Sequence, residues 1–113
     1  MRLETKKYLY DIQKAASQIM DFTSGKTLED YRGNAMLRSA VERQFEIIGE
    51  ALSQLAKLDE KIVSRINEHR RIIAFRNILI HGYAEVDDRL VWDIVQAKLP
   101  VLHQDVAGLL NDG

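Results

Sequence analysis

Apolar residues recur every three or four positions along nearly the whole chain, and no segment alternates apolar with polar as a half-buried strand would. One proline and six glycines interrupt this pattern in 113 residues. A chain of that kind can fold into helices joined by short loops and into little else. No repeat of 20–50 residues and no low-complexity tract is present.

The first helix is predicted from about Leu3 to Phe22, with Tyr8, Ile12, Ala15, Ile19 and Phe22 on one stripe. Gly25 stops it because glycine tolerates a positive φ. Thr27 caps a short turn through Tyr31, with Asp30 as its capping-box partner. The second long helix runs from near Ala35 to about Leu58 on the stripe Leu37, Val41, Phe45, Ile48, Leu52 and Leu55. A turn or short helix follows from Asp59-Glu60 through Ile66. The next helix covers about Arg70 to His81. It is apolar around most of its circumference, which predicts a central place, and Gly82 terminates it. Asp87 caps the last helical region, whose core face carries Val91, Ile94, Val95, Leu102, Val106 and Leu109. Pro100 removes one intrahelical bond and so breaks or kinks this region; a break is expected near Leu99, with Pro100 in the first turn of a terminal helix. The expectation is an all-α, up-down bundle of four to five helices, one domain over residues 1–113. A bundle this small gains stability by pairing with a second copy.

The remaining composition excludes several classes. The chain has no cysteine, which removes disulfides and thiolate zinc sites. Its charged start, Met1-Arg2-Leu3-Glu4-Thr5-Lys6-Lys7, leads into no apolar run of the signal-peptide kind, and no run approaches the ~20 residues that span a bilayer. The chain is therefore read as soluble and cytoplasmic. Its net charge of −1 argues against binding nucleic acid through an overall basic field, so any action on RNA must work through a small local site.

Such a site is visible in the segment Arg76-Asn77-Ile78-Leu79-Ile80-His81-Gly82-Tyr83. An arginine on an apolar helix is costly unless it is paired or lines a cavity. Local conflicts of this kind concentrate at functional sites. At about 100° per residue Asn77 and His81 share a face, whereas Arg76 and His81 stand roughly 140° apart on a regular helix. They converge only if the helix ends at His81, with the long arginine side chain supplying the remaining reach. Arginine binds phosphate through a planar, permanently charged fork, and histidine moves protons near neutral pH. Together they suit RNA cleavage without a metal: His81 for proton transfer, Arg76 for phosphoryl charge, Asn77 to orient His81 or the cleft. The plain structural alternative is an ion pair from Arg76 to Glu42, Glu46 or Glu50, and a solvated or capping His81.

The same segment resembles the Arg-x4-6-His signature of HEPN-domain proteins, and Tyr83 extends it to the Arg-x4-His-x-Tyr of the HepT toxin branch. Ala40-Val41-Glu42-Arg43-Gln44-Phe45-Glu46-Ile47-Ile48-Gly49-Glu50-Ala51 resembles that family's long second helix. Val86-Asp87-Asp88, Trp92-Asp93-Ile94-Val95 and Leu99-Pro100 resemble its C-terminal part. The resemblance implies a helical homodimer with the motif at the dimer cleft, a metal-independent endoribonuclease without a cofactor, and the toxin of a toxin–antitoxin pair. The implied partner is a minimal nucleotidyltransferase antitoxin, MntA, which silences the toxin by transferring AMP to the motif tyrosine, here Tyr83. Some HEPN domains instead serve as nucleotide-binding or partner subunits without nuclease activity, and that is the alternative reading.

Other residues carry less. His69 and His103 lack partners at metal-ligand spacing, so no metal site is expected. Trp92 reads as core or interface. Arg70 and Arg71 could extend a phosphate track, although a solvated face explains at least one of them. Lys6, Lys7 and Lys14 read as a solvated face.

Overall fold

Four long helical segments carry the fold, with short helical turns between them. The computed structural model describes residues 1–82 and 86–112. They form α1 (Leu3–Thr23), α2 (Leu28–Arg32), α3 (Ala35–Leu58), α4 (Glu60–Val63), α5 (His69–His81), α6 (Asp88–Asp93), a π-helical turn (Ile94–Lys98) and α7 (Leu99–Asp112). No strand occurs among the described residues.

The helix ends follow from side chains at the expected places. Thr27 and Asp30 form a complete capping box, and the bond from the Thr27 backbone N–H holds the Asp30 carboxyl below its ordinary range. Gly25 adopts φ +72°, which closes α1. Asn34, Asp59 and Asp87 each accept a backbone N–H at the starts of α3, α4 and α6.

Helix α1 packs along α3, α3 along α5, and α1 along α7. Contacts at one end give the directions. Thr5, early in α1, donates to Asp59, just past α3, at 3.5 Å. Arg65, ahead of α5, pairs with Asp112 at the end of α7 at 2.9 Å. Successive long segments therefore run up and down, as the all-α reading requires. Leu9, Ile12, Ile19, Val41, Phe45, Ile48, Leu52, Leu102 and Val106 fill the space between them. Trp92 is buried against Tyr31, ring centroids 5.6 Å apart, a core placement. Among the described residues no helix is long and apolar enough to cross a membrane.

Three details differ from the sequence expectations. The buried face of α1 is Thr5, Leu9, Ile12, Ala15, Ala16, Ile19 and Thr23, with Tyr8 at its margin and Phe22 exposed. Thr23 can lie inside because its hydroxyl donates to the Ile19 carbonyl at 2.8 Å, which removes the desolvation cost. Helix α5 is not central. It buries only Ile72, Phe75 and Leu79, and leaves Ile78 and Ile80 48% and 41% exposed. Pro100 does fall in the first turn of a terminal helix, α7 from Leu99, but no break in the helical path precedes it. The chain widens into the π turn, where the Leu99 N–H donates to the Ile94 carbonyl, and continues as α7. The wider turn accommodates a ring that would otherwise press on the carbonyl four residues back.

Candidate active site

Helix α5 sorts its residues by direction. Ile72, Phe75 and Leu79 point into the core. Arg76 lies on one flank of that buried stripe. Arg70, Asn77 and His81, within about 40° of one another on a regular helix, point away from the core, and all three are exposed.

Arg76 is held by α3. A Cβ added at Gly49 would stand 2.2 Å from the Arg76 Cβ and 2.5 Å from its Cγ, so only glycine lets the arginine stem lie against the α3 backbone. The next residue, Glu50, accepts through Oε2 from Arg76 Nη1 at 3.0 Å. The side chains are 16% and 56% exposed, so the arginine is the buried partner and the carboxylate the accessible one. The Arg76 Nε is buried and without a hydrogen-bond partner among the described residues. The guanidinium therefore keeps unspent donor capacity beside a carboxylate that solvent reaches.

His81 is the last residue of α5, and the Gly82 N–H donates to the Ile78 carbonyl at 2.7 Å. The helix ends at His81 as expected, but not through a left-handed glycine, since Gly82 has φ −117°, and this ending alone does not bring Arg76 and His81 together. Because His81 still belongs to the final turn, its direction and that of Arg76 stay roughly 140° apart. Within one chain, then, Asn77 and His81 share a face and Arg76 stands beside it. No hydrogen bond joins Asn77 to His81 among the described residues. Tyr83 lies outside the described residues.

Gly49 is the site residue that the sequence reading missed. Its signal was present, because a glycine within the best amphipathic helix costs about 1 kcal/mol relative to alanine and so calls for a reason. Glu50 was one of the three ion-pair partners named by the structural alternative, and the structure forms that pair.

The secondary candidates have ordinary partners. His69 Nδ1 lies 3.3 Å from the Ile66 carbonyl oxygen, and His103 Nε2 lies 3.0 Å from the Ser17 hydroxyl oxygen. Arg71 pairs with Glu68 at 3.1 Å, and Glu68 also holds Lys98 at 2.7 Å. Among the described residues no group of three or more His, Asp or Glu side chains is placed to hold a metal ion.

The up-down bundle, with Arg-x4-His closing its third long helix, defines a HEPN-class helical protein. The sequence model of the family described as "Ribonuclease HepT-like" matches residues 12–108, and the chain belongs to that family. It is 35% identical over 103 residues to "Putative RNase MJ1380" of Methanocaldococcus jannaschii, covering 91% of this chain and 94% of the relative. It is 34% identical over 102 residues to "Probable ribonuclease HepT" of Thermococcus cleftensis, covering 90% and 92%. A third relative, "Putative RNase TTE0752" of Caldanaerobacter subterraneus, is 30% identical over 104 residues, covering 92% of each chain. No solved structure gives a significant match.

Proposed function

We propose that this protein is a metal-independent endoribonuclease, the toxin of a toxin–antitoxin pair, with Arg76 and His81 as its catalytic residues at the cleft of a homodimer. The observation that carries the reading is the placement of Arg76. A glycine is spent on α3 to seat its stem, and its charge is held by a partner that solvent can reach, beside a helix that ends on an exposed histidine.

The chemistry needs two proton transfers and one stabilised charge. An imidazole takes the proton of a ribose 2′-hydroxyl. The 2′-oxygen attacks the adjacent phosphorus, the bond from phosphorus to the 5′-oxygen breaks, and an imidazolium protonates that leaving oxygen. The products are a 2′,3′-cyclic phosphate and a 5′-hydroxyl. One histidine can serve one of these transfers at a time, and a two-fold axis beside α5 supplies a second His81 and a second Arg76. The axis also compensates for the divergence of Arg76 and His81 within one chain. Arg76 stabilises the phosphoryl oxygens, with substrate phosphate taking over from Glu50 as its charge partner. Asn77, one turn before His81 on the same face, orients the imidazole or the strand. Exposed Ile78 and Ile80 beside His81 supply apolar surface for the second copy.

The test is RNA cleavage by the purified protein in EDTA. His81→Ala should cut the rate by about 10² to 10⁴, the usual contribution of general acid–base help. Equal cleavage by wild type and variant, or none by either, ends the proposal. Control is assigned to Tyr83: a nucleotidyltransferase antitoxin transfers AMP to its phenol, placing a phosphate and a base where RNA must lie. Intact mass after co-expression with such an enzyme should show one AMP per modified chain and lost cleavage. Full activity of the modified protein refutes this control.

A further inference from the structure

Two neighbouring arginines open the motif helix, and the structure separates their roles. Arg71 turns toward the groove between α5 and the α6–π segment. It lines that groove with Ile72, Phe75 and Ile78, and its guanidinium pairs with Glu68. Arg70 stands about 100° around the helix from Arg71 and does not line that groove. It is exposed, has no ion-pair partner among the described residues, and lies seven positions before Asn77 and eleven before His81. Those intervals are close to whole numbers of helical turns, so the three side chains form one line along the outward face of α5.

We infer that Arg70 is a phosphate-binding residue that holds the RNA strand a few nucleotides away from the bond cleaved at His81. The inference rests on the nuclease reading of that site. A rise of 1.5 Å per residue puts the Arg70 and His81 backbones about 16 Å apart, a span of several phosphodiester units rather than one. Within its own chain Arg70 therefore reaches neither the scissile phosphate nor the proton-transfer position at His81, and its assigned part is affinity and register rather than chemistry. The ligand class is RNA backbone, since the contact is a charge on phosphate with no base edge involved. A chain with a net charge of −1 needs such local contacts, because its overall field does not attract RNA.

The experiment uses the full chain and two probes. A labelled 2′-O-methyl oligoribonucleotide, which cannot be cleaved by 2′-hydroxyl attack, reports affinity by fluorescence anisotropy across a salt series. A cleavable oligoribonucleotide reports kcat and KM. Arg70→Ala should weaken binding and raise KM several-fold while kcat stays within about twofold. The slope of log affinity against log salt should shrink by about 0.7 for each phosphate the variant no longer neutralises. Arg70→Lys should restore most of the affinity, and Arg71→Ala should leave slope and KM unchanged. Unchanged affinity and slope in Arg70→Ala, or an equal loss in Arg71→Ala, overturns the inference. Cleavage that depends on His81 but ignores Arg70 defeats this inference and leaves the nuclease reading standing. A wild-type protein that neither binds nor cleaves RNA defeats both.

Discussion

The most constrained residue in the candidate site is a glycine that carries no functional group. Gly49 gives up helix propensity so that the Arg76 stem can touch the α3 backbone. Gly49→Ala drives a methyl into Cβ and Cγ of Arg76, atoms too near their own backbone to swing aside. The helices must part or the arginine must leave its place. Overpacking of this kind costs roughly 1–3 kcal/mol, and denaturant unfolding should show that loss together with a clear fall in cleavage. On the same helix, Glu42 gives a pH signature of opposite origin. Burial first, then the nearby charges of Asp88 and Glu46, raise its carboxyl above the ordinary range. The folded protein therefore binds a proton there more readily than the unfolded chain does. Ionised Glu42 lowers stability at neutral pH, and that penalty disappears as the pH falls through its raised folded value toward the unfolded one. Glu42→Gln should thus stabilise the protein at pH 7, with the gain shrinking by pH 4, as paired unfolding curves at the two values will show. An equal gain at both refutes the assignment.

Among the elements, legibility in the sequence followed the strength of the local signal. Helix α3 was readable to its bounds, because a clean stripe lies between an Asn cap and Asp59. Helix α1 was readable as a helix but not in its buried face, since nothing in a linear pattern announces that Thr23 will satisfy its hydroxyl on Ile19. The π turn before Pro100 was not readable. A proline in a helical pattern permits a break, a kink or a widened turn, and packing chooses among them. The end of α5 was readable because Gly82 follows the last apolar position. Its mechanism was not, because φ −117° is open to any residue. The direction of Arg76 depended on Gly49, which lies 27 positions away, and on which of three glutamates faced it. A prediction follows from the Gly82 geometry. A Cβ there would meet the Ile78 carbonyl oxygen at 3.1 Å, the same atom that accepts the Gly82 N–H, while alanine favours continuing the helix by about 1 kcal/mol. Gly82→Ala should leave global stability within about 1 kcal/mol and lower cleavage, because it redirects the chain leaving His81. Wild-type activity in that variant would show that the exit path beyond α5 does not matter to the chemistry.

At the scale of the whole molecule, the bundle satisfies its core with one face of α5, seats Arg76 against α3 on the flank of that face, and leaves the outward face through Arg70, Asn77 and His81 exposed among the described residues. Ile78 and Ile80 lie on either side of the His81 direction, and Leu90 adds a third exposed apolar side chain nearby on α6. Single exposed apolar residues need no explanation, but here they surround the proposed proton-transfer residue. A second copy docked by a two-fold axis at this face would cover them and would also bring the partner's motif helix to the site. The two consequences are linked, so one variant tests both. Ile80→Glu adds a charge outside the core of its own chain, where it should cost the monomer little. At the interface, the same charge meets its symmetry mate near the axis, which adds like-charge repulsion to desolvation. Sedimentation at micromolar concentration should therefore give a dimer for the wild type and a monomer for Ile80→Glu, with unfolding curves that agree once concentration is matched below the dissociation constant. Cleavage per chain should fall on dilution of the wild type and be low at every concentration for the variant. A monomeric variant that keeps full, dilution-independent activity would mean that one Arg76 and one His81 suffice, and the site would then have to be completed from within a single chain.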